Sequence, residues 1–226
     1  MTNTTPANEL RVSLPQGSHT NYPLQFGRAL APGAVTGEPS VSIGGVPVVQ
    51  QQADVKTRYA DGSVKFAVIS VVLPALTTEE IVLSIGNQAA SVREPESLAN
   101  VLANYDFDAQ IGLAVGGTPL AGAPVSARTM LKQLTERQLA QETLTPGGGV
   151  NSRYWTVGPV CTTVLLCDHT TKAYDVGTNA TKAIRPMFHV QFWPSIGKYH
   201  VRHILEVADV TKLKDETGLD VTFTTG

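Results

Sequence analysis

Short apolar runs in which every second residue is hydrophobic recur along nearly the whole chain. They are rich in Val, Ile and Thr, and Gly (20) and Pro (14) punctuate them. This rhythm is typical of a sandwich or barrel of antiparallel strands. The predicted strands are 10–15, 22–30, 40–60, 63–73, 80–86, 108–117, 154–168, 184–194, 198–208 and 219–225.

Helical periodicity is scarce. Residues 127–144 have a helix-forming composition without a clear apolar stripe, so a helix and an extended loop both stay open for them. Residues 95–105 predict a short helix, with Pro95 suited to its first turn. Its apolar face consists of Leu98, Val101, Leu102 and Tyr105. The predicted class is therefore all-β with minor α: an antiparallel barrel or sandwich with one or two short helices.

The strand pattern also predicts the domain organisation. After a polar N-terminal arm, 1–9, the pattern runs through 10–226, which indicates a single β-rich domain. Its two parts, 10–92 and 106–226, would be joined by the helical segment. The Gly-rich stretch 143–152 is typical of a flexible loop.

The stretch DVKTRYADGSVKF predicts a β-hairpin. The Asp61-Gly62 pair is a strong turn signal, because a tight turn needs a positive φ there. Before the turn, Asp54, Lys56 and Arg58 alternate onto one face, where opposite charges spaced by two form a solvated ladder with modest pair energies. A catalytic set needs carboxylates that converge in a cleft, which one strand face does not supply. We therefore interpret these charges as structural.

Composition narrows the classes of function. Charged residues are 16% of the chain, and 17 Lys and Arg against 19 Asp and Glu give a net charge of −2 without any long charge run. This argues against electrostatic binding of nucleic acid. No apolar stretch reaches membrane-spanning length, and the start MTNTTPANEL lacks the features of a signal peptide. We expect no nucleic-acid partner and no membrane insertion.

The cysteines and histidines do not predict a metal site or a disulfide. Cys161 and Cys167 would share one face of a strand, about 20 Å apart, beyond the roughly 7 Å that a disulfide spans. They are interpreted as buried thiols. His200 and His203, three apart on a strand, face opposite ways, which argues against a shared metal. We expect no metal and no cofactor.

Three aromatic residues, Tyr154, Trp155 and Trp193, are the candidates for contact with a glycan or a partner protein. Their rings could stack on a sugar, although packing in the core is the commoner role of such residues. His189 and Gln191 share a strand face with Trp193, which favours a polar surface stripe. The chain has no serine-hydrolase, zinc-protease or phosphate-loop motif. No catalytic residue is predicted, and we expect the chain not to be an enzyme.

Four stretches together resemble a known family: YPLQFGRALAPGAV, QQADVKTRYADGSVKFAVISVVLP, WTVGPVCTTVLL and MFHVQFWPSIGKYHVRHILEVADV. They are similar to the RIFT-barrel-like N-terminal domain of exo-rhamnogalacturonan-lyase-type proteins, in the version found in tail and other virion proteins of tailed bacteriophages. The resemblance covers most of 10–222. It implies a β-rich barrel in which the Asp61-Gly62 hairpin and the WTVGPV strand are core elements. In the lyases, catalysis belongs to domains beyond this one.

The resemblance implies a structural virion protein of the tail, baseplate or fibre attachment, assembled in the host cytoplasm with other tail proteins and copies of itself. Two alternatives stay open: a non-catalytic accessory domain of a polysaccharide-lyase-like enzyme, and a free-standing glycan-binding module. Related domains usually stand at the front of longer chains. The last strand, 219–225, is therefore expected to continue into a further domain or to pair with a neighbouring subunit, with an ordinary edge strand as the third possibility.

Overall fold

The computed structural model of this chain describes residues 8–94, 97–120, 122–132, 154–166, 184–207 and 219–225. Within these ranges the protein is built from short strands in several antiparallel sheets, with little helix. The predicted all-β class with minor α is confirmed. None of the helices in the described ranges is long and apolar enough to cross a membrane.

The strands follow one another closely along the chain. Up to residue 94 they are β1 (Glu9–Val12), β2 (His19–Ala29), β3 (Glu38–Ile43), β4 (Val46–Pro47), β5 (Gln51–Arg58), β6 (Val64–Leu76) and β7 (Ile81–Gln88). A helix, α1 (Leu98–Asn104), comes next. The later strands are β8 (Ala109–Val115), β9 (Thr118–Pro119), β10 (Val125–Ser126), β11 (Tyr154–Thr156), β12 (Thr162–Leu166), β13 (Ile184–Trp193), β14 (Lys198–Val207) and β15 (Leu219–Thr225). A 3-10 turn, Pro194–Ile196, joins β13 to β14.

The first compact unit comprises the described residues up to 94 together with 156–162 and 193–196. It contains two antiparallel sheets, with strand orders β1-β7-β3-β4 and β2-β6-β5. In β6 every residue from Ala67 to Leu73 is buried, because the strand is covered on both faces, as its unbroken apolar run predicts. The core around β6 includes Leu30, Val41, Val64, Ile69, Leu73 and Leu83.

The second compact unit comprises the other described residues from 97 onward. β8 pairs with β9, β10 and β15, and most residues of the sheet β11-β12-β13-β14 also belong to this unit. The predicted helix begins at Leu98, after Ser97 caps it by accepting the N–H of Asn100 at 3.1 Å. Arg128 donates to the carbonyls of Leu102 and Tyr105 at the end of α1. The core includes Val101, Tyr105, Phe107, Ile111, Phe188 and Phe192.

Two of the predicted strands are interrupted. The run 40–60 divides into β3, β4 and β5, because Gly44 (φ = +57°) and Gly45 (φ = +82°) turn the chain. The run 154–168 divides into β11 and β12 around Gly158, whose φ is +155°. The residues on both sides of these turns are apolar and continue the strand pattern. Glycine is therefore the sequence feature that indicates the turns.

Other predictions are resolved only in part. Residues 127–132 are helical, and the rest of 127–144, together with the loop 143–152, lies outside the described residues. The strand 219–225 is confirmed as β15, which pairs antiparallel with β8 and lies last in the described part of its sheet. Its continuation into a further domain or into a neighbouring subunit stays a prediction, as does the organisation as one domain.

Candidate functional site

The predicted hairpin is confirmed. β5 and β6 pair antiparallel, and Tyr59 closes the connection by donating its N–H to the carbonyl of Ser63 at 2.8 Å. Gly62 has the required positive φ of +83°. Asp61 accepts the N–H of Ser63 at 2.9 Å and its hydroxyl at 2.6 Å, and these bonds lower the pKa of the Asp61 carboxyl. The side chain of Asp61 therefore organises the turn.

The charged residues of β5 face one cavity of about 290 Å³ in the first unit. Its lining includes Glu38, Asp54, Lys56, Arg58, Arg93 and Val157. Ala53 and Val55 line the same cavity, and the register with β6 shifts twice between Val55 and Arg58, so the strict alternation predicted for Asp54, Lys56 and Arg58 stays a prediction. The predicted solvated ladder is wrong for Asp54, because a segment from much later in the chain lies against it.

Asp54 binds that later segment, 156–162, through its carboxylate. Oδ1 accepts the N–H of Val157 at 2.8 Å, and Oδ2 accepts a hydrogen bond from Gln52 Nε2 at 3.1 Å. Burial raises the pKa of Asp54, while the two hydrogen bonds and the positive charges of Lys56 and Arg93 oppose that rise. Burial likewise lowers the pKa of Lys56, against the pull of Asp54. The carboxylate is a half-buried acceptor of hydrogen bonds from the protein itself.

Gln52 is the central residue of this site, and the sequence analysis missed it. Its side chain is only 1% exposed. Oε1 accepts the N–H groups of Val160 and Cys161, each at 3.0 Å, and Nε2 donates to the carbonyl of Cys161 at 2.7 Å as well as to Asp54. All four hydrogen-bonding positions of the amide are filled. β5 has the mostly polar sequence QQADVKTR, so no local signal distinguishes Gln52 from its polar neighbours.

Gly158 allows the segment 156–162 to approach this closely. A Cβ at Gly158 would lie 2.5 Å from Gln52 Oε1 and 2.9 Å from Arg93 Cδ. Its φ of +155° also lies in a region that favours glycine. The backbone of the segment therefore packs directly onto the side chains of the hairpin region.

Two arginines bind backbone carbonyls around the same cavity. Arg93 pairs with the carboxylate of Glu38 and donates to the carbonyl of Ala53 at 2.7 Å. Arg58 donates to three carbonyls, those of Thr36 at 3.1 Å, Gly37 at 3.0 Å and Gly62 at 2.9 Å. These guanidinium groups connect loops that are distant in sequence.

The aromatic candidates have different environments. Trp193 is 2% exposed and packs with Val72, Val160 and Cys161, so its ring offers no face to a glycan. Tyr154 is half-buried and packs against the core of the second unit. Trp155 is 39% exposed and is the one member of the trio with an exposed ring.

The structure describes one of the two cysteines and both histidines of β14. Cys161 is buried, as predicted, and Gln25 Nε2 lies 3.4 Å from its Sγ. Cys167 lies outside the described residues. His203 packs edge-on against Phe188 with ring centroids 5.5 Å apart, whereas His200 is exposed. Within the described ranges, no group of three His, Cys, Asp or Glu could hold a metal ion.

Fold and site together define an all-β protein in which buried polar side chains bind a segment about 100 residues away in the sequence. No protein-family model, no curated protein and no solved structure matches the chain. Its function is therefore argued from the residues themselves.

Proposed function

We propose that the chain is a structural protein of a tailed-bacteriophage virion, in the tail, baseplate or fibre attachment apparatus. The observation that carries this proposal is the use of the charged residues around the hairpin. Asp54, Arg58 and Arg93 all bind groups of the protein itself, mostly backbone N–H and carbonyl groups. Charges used in this way rigidify a scaffold, which is what a virion component under mechanical stress requires.

The resemblance to the phage version of the RIFT-barrel-like domain supports the same proposal. Two of the four stretches that carry it contain Gln52, Asp54 and the segment 156–162, and these are bonded to each other in the first unit. A barrel of the RIFT type is the finer architecture that we propose for this β-rich chain. Other tail proteins and copies of the chain are its proposed partners.

Analysis of purified virions tests this proposal. We expect mass spectrometry of particles from the encoding phage to detect the chain, and immuno-electron microscopy to locate it on the tail. A lysate that contains the chain, together with purified particles that lack it, would contradict the proposal. The mass of the product also tests the expected longer chain, because a protein of 24.0 kDa matches the present sequence alone.

A glycan-binding module is the second candidate, and the exposed ring of Trp155 is the observation that favours it. Exposed indoles stack on sugar rings. A glycan array probed with the wild-type chain, Trp155→Ala and Tyr199→Ala separates the two candidates, because Tyr199 is a comparably exposed aromatic residue. A signal that Trp155→Ala alone abolishes supports glycan binding and opposes a purely structural role.

A further inference from the structure

A row of three basic side chains lies on β14 in the second unit. Lys198, His200 and Arg202 occupy alternate positions of this strand, and all three are exposed. We call them the cationic strip. Alternate residues of a strand lie on one face at intervals of about 6.6 Å, so the strip presents three evenly spaced cationic or protonatable groups.

The opposite face of β14 covers the core, and this determines which way the side chains of the strip face. Val201 and Leu205 pack against the hydrophobic core of the second unit. The ring of Tyr199 lies 5.4 Å from that of Phe107, centroid to centroid. Val201, His203 and Leu205 are half-buried on this face. Because side chains alternate along a strand, the three residues of the strip lie on the opposite, outward face.

The charges of the strip are not neutralised within the described part of the chain. No carboxylate there lies within ion-pair distance of Lys198 or Arg202, whereas Arg185 pairs with Glu206 at 3.2 Å farther along the same two strands. The basic residues of the strip also affect the pKa of His189 on β13. Burial lowers its pKa first, and the positive charges of Arg202 and His200 lower it further.

β14 is also the last strand of its sheet among the strands that the structure describes. A terminal strand presents backbone N–H and carbonyl groups along one side, where an extended peptide can add as a further strand. On the same outward face, Ile204 is 37% exposed and offers an apolar contact beside the charges. Among the described strands, the side of β14 away from β13 is therefore without a strand partner, and a basic residue at every second position lies beside it.

We propose that β14 binds an extended acidic segment of a partner protein, in which carboxylates alternate with neutral residues. In such a strand the carboxylates repeat at the same interval of about 6.6 Å as the strip, so each can face one basic side chain. Polysaccharides and nucleic acids would engage the charges but not the backbone of β14. The proposal concerns this surface alone and does not depend on a role in a virion.

Fluorescence anisotropy with synthetic peptides tests the proposal. The probe is a labelled peptide with four Thr-Glu repeats, and two comparison peptides contain the same residues with the glutamates in one block, or N-methyl groups on alternate amides. We expect the alternating peptide to bind most tightly, with an affinity that falls as salt increases. Arg202→Gln should weaken it about threefold, and Lys198→Glu with Arg202→Glu at least about tenfold. Arg11→Gln is the matched control, because Arg11 is an exposed arginine paired with Glu80 elsewhere, and it should leave the affinity unchanged.

Four results would overturn the proposal. The first is a lack of binding by the alternating peptide at millimolar concentration, and the second is binding that Arg202→Gln and Arg11→Gln affect equally. The third is equal binding of the blocked or N-methylated peptide, since it would indicate general charge attraction without strand pairing. Tight binding of polygalacturonate or single-stranded DNA without binding of the peptide would also reject a protein partner.

Discussion

Replacing Gln52 with leucine tests whether the buried amide holds the segment 156–162 in place. Leucine has a similar size and is apolar, so the substitution removes the hydrogen bonds with little change in volume. The N–H groups of Val160 and Cys161 then lose their acceptor in a buried site. The carbonyl of Cys161 keeps a bond from the Thr156 hydroxyl at 3.2 Å.

The expected loss of stability follows from those two amides. A buried N–H group left without a partner costs about 1–3 kcal/mol, so Gln52→Leu should lower the free energy of unfolding by about 2–6 kcal/mol. A typical domain is stable by only about 5–15 kcal/mol. The effect should therefore be large in any equilibrium assay.

Urea unfolding followed by tryptophan fluorescence provides the measurement. Trp193 packs directly against Val160 and Cys161 and so reports on this site, and a Trp155→Phe background removes the other tryptophan signal. Gln88→Leu is the matched control, because Gln88 makes one hydrogen bond of 3.3 Å to the carbonyl of Pro39. Gln88→Leu should lower the free energy of unfolding by no more than about 1 kcal/mol. Equal free energies of unfolding for the two variants would refute the stabilising role that we assign to Gln52.

Three further predictions concern the same unit. Gly158→Ala should lower the free energy of unfolding in urea by about 2–5 kcal/mol, because the added Cβ would overlap Gln52 Oε1 at a strained φ. The control is Gly33→Ala, which should lower it by only about 1–2 kcal/mol, because Gly33 has a φ of +74° but open space around it. Because burial raises the folded-state pKa of Asp54 above 3.8, the folded state binds more protons than the unfolded state in the window between those two pKa values. Wild-type stability relative to the Asp54→Asn variant should therefore fall as pH rises through that window, and no such trend between pH 3.5 and 7 would contradict the assignment. Asp61→Ala should lower the melting temperature in calorimetry by removing the side-chain acceptor of the hairpin turn.

The sequence predicted the strands well because their signals are local. Alternating residues and turn residues act within a few positions, so the hairpin at Asp61-Gly62 and the strand 219–225 could be located from the pattern alone. The strand breaks at Gly44 and Gly158 were missed, since apolar residues flank both and only the backbone angle separates turn from strand. The alternation predicted for the charged residues of β5 is also a local property.

The site itself could not be predicted, because its partners are distant in sequence. Val157 lies 103 residues after Asp54, and no periodic pattern links the two. From the local sequence alone, Asp54 is interpreted as a solvated charge and Gln52 as an ordinary polar residue. Trp193 shows the same limit: strand parity assigned it to the polar stripe of His189 and Gln191, yet the packing of Val72 and Val160 buries its ring.

Bringing the segment 156–162 to the hairpin closes a loop of about 100 residues, which costs roughly 4 kcal/mol of chain entropy by the logarithmic law. Hydrogen bonds of ordinary net value, about 1 kcal/mol each, offset that cost only if several form together. Gln52 and Asp54 supply four bonds to Val157, Val160 and Cys161. The burial of Trp193 against Val160 adds apolar area beside them. Because these contributions form on the same short segment, loss of the glutamine removes the bonds that hold Val160 next to the tryptophan. We therefore expect the hydrogen bonds and the apolar contacts to be lost together, as one cooperative step in unfolding.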